Sequence, residues 1–179
     1  MPKTLKKLLL VVVLIPFIAC GAESKLQEST GSFQQYRCEI IIKYRYLREI
    51  SDEFGNILLI ENYSNIFQAS ENLVESLDGM KHELESMYIP EEMKEPHDAF
   101  LKSIESFIQS ANHIHIAMGI VLGNHERKSV DIQGLIDQSE HHIVMANKYL
   151  AHSVILHGKL FDSHHFVSNE CNKQIASIN

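Results

Sequence analysis

The chain has no tryptophan, only four prolines and only eight glycines among 179 residues. So few chain breakers exclude collagen-like and low-complexity organisation, and no segment alternates apolar and polar residues with the two-residue period of a half-buried strand. Catalytic signatures are missing too. There is no Gly-x-Ser-x-Gly elbow, no phosphate-cradling glycine loop and no dinucleotide fingerprint, which removes the main motifs of hydrolases, P-loop proteins and Rossmann domains. Glu-x-x-His, Cys-x-x-Cys-His and His-Glu-x-x-His are also absent, and with them the signatures of di-iron bundles, covalent haem and zinc proteases. The expectation is a protein that is not an enzyme. Beyond the first twenty residues, no apolar run approaches the roughly 20 residues needed to cross a bilayer.

What is present begins with Lys3, Lys6 and Lys7, followed by an unbroken apolar run from Leu8 to Ala19 that ends at Cys20. A basic start and a short apolar core make a secretion signal rather than a membrane span. The run Phe17-Ile18-Ala19-Cys20 resembles the lipobox of a bacterial lipoprotein signal peptide, with a small residue directly before the cysteine and phenylalanine where leucine is usual. This resemblance implies that residues 1–19 are removed, that Cys20 becomes a diacylated N-terminus, and that the domain is exported and anchored to the cell membrane. Two or more acyl chains make a stable anchor where one does not. Losing three of 16 basic residues leaves 13 against 23 acidic ones, a net charge of −10. A chain this acidic lacks the basic stripe that a phosphate backbone requires, so nucleic acid is excluded as a partner. Residues 20–32, lipidated Cys20 followed by GAESKLQESTGS, are polar and without period, and read as a flexible tether.

From residue 33 onward the pattern is helical. Phe33, Tyr36, Ile40, Tyr44, Leu47 and Phe54 recur at three- and four-residue spacing, and Gly55-Asn56 reads as a turn. A second helix is expected from about 57 to 87, with a seam running from Leu59 through Ile66, Leu73, Leu77, Met80 and Leu84, and Pro90 follows as a stop. A third helix covers Pro96 to Leu122 and ends at Gly123-Asn124, and its seam carries His97, Ile104, Ala111, His115 and Met118, with His125 beyond the cap. The fourth, capped by Ser129 or Asp131, runs through Ile136, Ile143, Leu150, Val154 and Phe161. Four helices with short connections give an all-α, antiparallel up-down four-helix bundle over residues 33–165, with a polar tail at 166–179.

Eleven histidines raise the question of a metal. His115 with Met118 on the third helix and His157 on the fourth are the candidates to hold a metal ion or a haem iron between facing helices. The alternative is that each imidazole is hydrogen-bonded at the edge of the core to a neighbouring helix, with no cofactor. Adjacent pairs such as His141-His142 and His164-His165 fit a solvated surface. With Cys20 assigned to lipid, Cys38 and Cys171 are the remaining cysteines, in a compartment where disulfides persist. An up-down bundle brings the start of the first helix beside the end of the fourth, so a Cys38–Cys171 disulfide is expected.

The helical part is similar to small bacterial lipoproteins of unknown function with a four-helix domain. The likeness rests on Pro90-Glu91-Glu92 to Pro96-His97 at the start of the third helix and Ala146-Asn147-Lys148-Tyr149-Leu150 in the fourth. It implies export and the bundle, and brings no activity with it. The sequence therefore points to a lipid-anchored, non-catalytic interaction module of the cell envelope, with the membrane and an unidentified envelope protein as partners.

Overall fold

The computed structural model describes residues 31–60, 62–124, 131–163 and 171. Residues 1–19, Cys20 and most of the expected tether lie outside these, as do His125, Ser129 and the His164-His165 pair. Among the described residues four helices make up the fold: α1 (Gly31–Leu59), α2 (Tyr63–Ser86), α3 (Lys94–Leu122) and α4 (Ile132–Ser163), with a short 3-10 turn at Glu91–Met93 before α3. The chain is all-α, a four-helix bundle in which successive helices run antiparallel.

Two boundaries differ from the expectation. Helix α1 starts at Gly31, so the last two residues of the expected tether are already helical. It also continues through Gly55-Asn56 to Leu59, because Phe54, Ile57 and Leu58 pack into the apolar cluster at that end of the bundle. A glycine in a helix costs about 1 kcal/mol against alanine, which burial of those side chains outweighs. The turn lies three residues later, where Asn62 caps α2 by accepting the Asn65 N–H at 3.1 Å. Leu59 and Tyr63, expected on the seam, are consequently exposed.

The other ends follow ordinary helix chemistry. Met87 donates its N–H to the Leu84 carbonyl at 3.3 Å, and α2 stops before Pro90. Pro96 lies in the first turn of α3, where a missing N–H costs little because the carbonyl four residues back, that of Glu92, lies before the helix. Gly123 closes α3 in the left-handed region at φ 79°, and the amides of Gly123 and Asn124 bond back to Ile120 and Gly119. Asp131 lies over the start of α4. A β-carbon at Gly134 would come within 2.8 Å of its Oδ2, so the glycine makes room for the carboxylate.

The core has two parts. One gathers Tyr36, Ile40, Tyr44, Leu77, Leu84, Phe100, Ile104 and Phe161, and the other Leu58, Ile66, Ile114, Met118 and Ile143. Helices α3 and α4 are the most closely packed pair, and small residues allow it. Pro96, Ser103, Ser110 and Ala117 recur every seven residues on α3, opposite Ser153, Ala146 and Ser139 on α4. Ser103 donates to the Ala146 carbonyl at 2.9 Å, the Ser110 and Ser139 hydroxyls share a hydrogen bond of 2.8 Å, and Ser153 donates to the Pro96 carbonyl at 2.5 Å. Helix α1 instead meets α4 through long side chains: Phe33 edge-on to Phe161, and Arg37 over the Phe161 ring at 4.6 Å. Cys38 and Cys171 are joined by a disulfide that brings residue 171 onto α1, and both residues are buried.

Candidate functional site

The most concentrated set of polar side chains inside the bundle lies where α1, α3 and α4 meet, beside the last turn of α2. Helical spacing carries them there. Tyr36 and Tyr44 are two turns apart on the buried stripe of α1, His97 opens the buried face of α3, and Ser153 and His157 are one turn apart on α4. Antiparallel packing of α3 and α4 sets Ser153 opposite Pro96, and the Tyr36 hydroxyl of α1 reaches both the His97 and the His157 rings.

The contacts form a continuous string. His97 Nε2 faces the Leu84 carbonyl at 3.2 Å, and His97 Nδ1 faces the Tyr36 hydroxyl at 3.2 Å. Tyr36 Oη also meets His157 Nε2 at 2.9 Å. On the other side of that ring, His157 Nδ1 meets Tyr44 Oη at 2.9 Å and the Ser153 carbonyl at 3.1 Å. Tyr44 Oη and Ser153 Oγ are 2.7 Å apart, and Ser153 donates onward to Pro96. The Leu84 carbonyl, which also accepts from Met87, lies in the last turn of α2, so His97 adds a second contact at that helix end.

This site is sealed. His97 and Ser153 are completely buried, and Tyr36 and His157 are 1% exposed. Burial pushes the His157 imidazole down to about 3, an effect to which the neighbouring His97 ring adds and which the Ser153 carbonyl opposes. Burial also lowers His97, against the pull of the Leu84 carbonyl and of Asp98. Both phenols are raised by the same loss of solvent. All four groups are therefore neutral at neutral pH, and each nitrogen and hydroxyl is committed to a neighbour. Such an arrangement fixes helix positions and can relay protons along itself, and it has no open face toward a reactant.

The structure does not bring the expected metal ligands together. His157 shares the Tyr36 hydroxyl with His97, which precedes His115 by eighteen residues on the same helix, roughly 27 Å along its axis at 1.5 Å per residue. The expectation placed both imidazoles on core faces but disregarded the axial register of two antiparallel helices. His115 stacks on Phe67, with ring centroids 4.1 Å apart, and its Nδ1 lies 3.2 Å from the Phe67 carbonyl and 3.4 Å from Ser70 Oγ. Met118 packs with Leu58, Ile66 and Ile143 in the second apolar cluster. His115 and His157 are thus each hydrogen-bonded to groups of the bundle.

A second histidine group lies between α3 and α4. The rings of His113 and His142 stack with centroids 5.3 Å apart, and His141 lies edge-on to His142 at 5.7 Å. Among the described residues no three His, Cys, Asp or Glu side chains form a metal-holding group. On the opposite side of the bundle, a groove open to solvent runs between α1 and α2, lined by Ile50, Phe54, Ile57 and Leu73 with Glu53 and Asn72 at its edge.

Sequence reasoning identified His97 and His157 as core-edge imidazoles but missed Tyr36, Tyr44 and Ser153 as their partners. The available signal was the pair of tyrosines two turns apart on a buried stripe, since a buried phenol requires a hydrogen-bond partner. No protein-family model, no curated protein and no solved structure matches this chain.

Proposed function

We propose that this chain is an exported helical bundle, anchored to the cell membrane by acyl chains on Cys20, that works in the envelope as a non-catalytic interaction module. The observation that carries the reading is the way the interior spends its polar groups. His97, His157, Tyr36, Tyr44 and the serines between α3 and α4 bond to one another or to helix carbonyls, leaving the outside as the working part. The lipobox-like run ending at Cys20 supplies the attachment.

The geometry also favours one end for contact. The tether joins at Gly31, and α1 carries the chain about 43 Å from there to Leu59 at 1.5 Å per residue. At that far end Leu59 is 59% exposed and Ile60 66% exposed. Two adjacent apolar side chains held in water far from the attachment point suit contact with an apolar patch on an envelope protein better than contact with the anchoring membrane.

Labelled palmitate fed to the native host should enter the wild-type protein and not Cys20→Ser, and the variant should leave the membrane pellet. A photo-crosslinking residue at Ile60 should give a discrete adduct that one at Gln35, near the tether, does not, and Cys20→Ser should abolish it. Absence of label in the wild type removes the anchor from the proposal. Equal adducts from both positions remove the assignment of the far end.

A further inference from the structure

The buried string contains one more contact than it has hydrogens to fill. From the Leu84 carbonyl to the Pro96 carbonyl there are six links: Leu84 to His97, His97 to Tyr36, Tyr36 to His157, His157 to Tyr44, Tyr44 to Ser153, and Ser153 to Pro96. Each link needs one hydrogen. Three hydroxyls and two neutral imidazoles supply five. Both ends of the string are carbonyl oxygens, which only accept, so neutral side chains leave one link empty however the hydroxyls turn.

The distances place the empty link. At 2.5 Å, the Ser153 hydroxyl must donate to Pro96, since two bare oxygens would repel there. Ser153 Oγ then accepts from Tyr44 at 2.7 Å, which uses the Tyr44 hydrogen. His157 Nδ1 must therefore carry its own hydrogen, aimed at Tyr44 Oη and at the Ser153 carbonyl. With Nδ1 protonated, His157 Nε2 is bare and accepts from Tyr36 at 2.9 Å. His97 is left with one hydrogen for two acceptors, Tyr36 Oη and the Leu84 carbonyl, and both distances are 3.2 Å, the longest of the six. The vacancy sits on His97.

We propose that the His97–Tyr36–His157 string is a proton-binding site, which takes up one proton with the bundle folded and shares it between the two imidazoles through the Tyr36 hydroxyl. A proton added to His97 fills both of its links at once. If His97 Nδ1 then passes its hydrogen to Tyr36 Oη while Tyr36 passes its own to His157 Nε2, the same six links stay filled and the charge has moved to His157. No heavy atom has to move, and one hydrogen crosses each of two bonds.

The surroundings set the affinity. From α1 the string sees the neutral phenols of Tyr36 and Tyr44, and the Arg37 guanidinium nearby over Phe161. From α3 it sees Asp98, whose charge favours the proton on His97. Helix α2 presents the Leu84 carbonyl and α4 presents Ser153. Burial opposes the charge and holds both imidazoles below their ordinary value, so the site is empty at neutral pH and fills on acidification.

The test is a pH titration of the folded protein from pH 7.5 downward, following the side-chain nitrogens of all histidines by NMR with helical circular dichroism recorded in parallel. The expected result is that His97 and His157 shift together, with one shared midpoint below the ordinary histidine value, one proton between them, and helicity retained. Tyr36→Phe removes the bridge and should split the shared midpoint into two, while Tyr44→Phe leaves the bridge and should preserve it. Separate midpoints in the wild type, or imidazoles that titrate only as helicity is lost, overturn the proposal. The wild-type titration decides the matter even where Tyr36→Phe fails to fold.

Discussion

His157 is the side chain on which most of the buried string depends, and its environment gives stability a pH dependence of known sign. In the fold its imidazole is held down to about 3, whereas an unfolded chain protonates histidine near 6.5. The unfolded state therefore binds the proton first as pH falls. The stability that burial of neutral His157 permits is whole above pH 6.5 and declines as pH drops toward the folded value, by up to about 5 kcal/mol at 1.36 kcal/mol per unit. Urea midpoints measured at pH 7 and pH 4.5 should fall more for the wild type than for His157→Gln; equal falls would contradict this. Tyr44→Phe should lower stability by about 1–3 kcal/mol at pH 7, because it strips a buried partner from both His157 and Ser153, a loss that urea unfolding measures directly. At this scale the sequence was half legible. Helical spacing placed His97 and His157 against the core, but Tyr36 and Tyr44 read as apolar filler, and Ser153 carried no signal because its burial depends on which residue of α3 lies opposite.

Helices were the most legible level, and the reason is periodicity. Apolar residues at three- and four-residue intervals located all four helices, and Gly123 marked the end of α3. The turn at Gly55-Asn56 was misplaced because a local propensity of about 1 kcal/mol yields to burial of Phe54, Ile57 and Leu58. The serine stripe between α3 and α4 was also missed, since serine reads as polar surface until two helices come close enough to cover it. That closeness can be tested by size. Ser103→Ala should cost only about 1 kcal/mol for its hydrogen bond to Ala146, whereas Ser103→Leu must part the two helices and should cost about 3 kcal/mol or more. Comparable losses for the two in chemical denaturation would show that the spacing at Ser103 is not tight. Gly123→Ala, which forces a side chain into the left-handed region, should cost about 1 kcal/mol by the same measurement.

For the molecule as a whole, the Cys38–Cys171 disulfide is the longest-range constraint, linking residues 133 apart in sequence. The cysteine count and up-down topology made it readable in advance. What they did not show is that residue 171, in a stretch read as polar, would be buried against α1. Reduction should lower stability by roughly 2–5 kcal/mol. Melting curves with and without reductant check this, and an unchanged midpoint would mean the tail docks equally well without the bond. The disulfide also determines how the protein carries mechanical load. Tension applied through the chain ahead of Gly31 can unravel α1 only as far as Cys38 before it passes through sulfur to Cys171. The residues enclosed between those cysteines cannot be drawn out, so a pull on the two ends of the oxidised protein should release roughly 440–480 Å less chain than the same pull after reduction, at 3.3–3.6 Å for each of the 133 residues. Three helices would then remain shielded from a force that the first turns of α1, Tyr36 among them, bear alone.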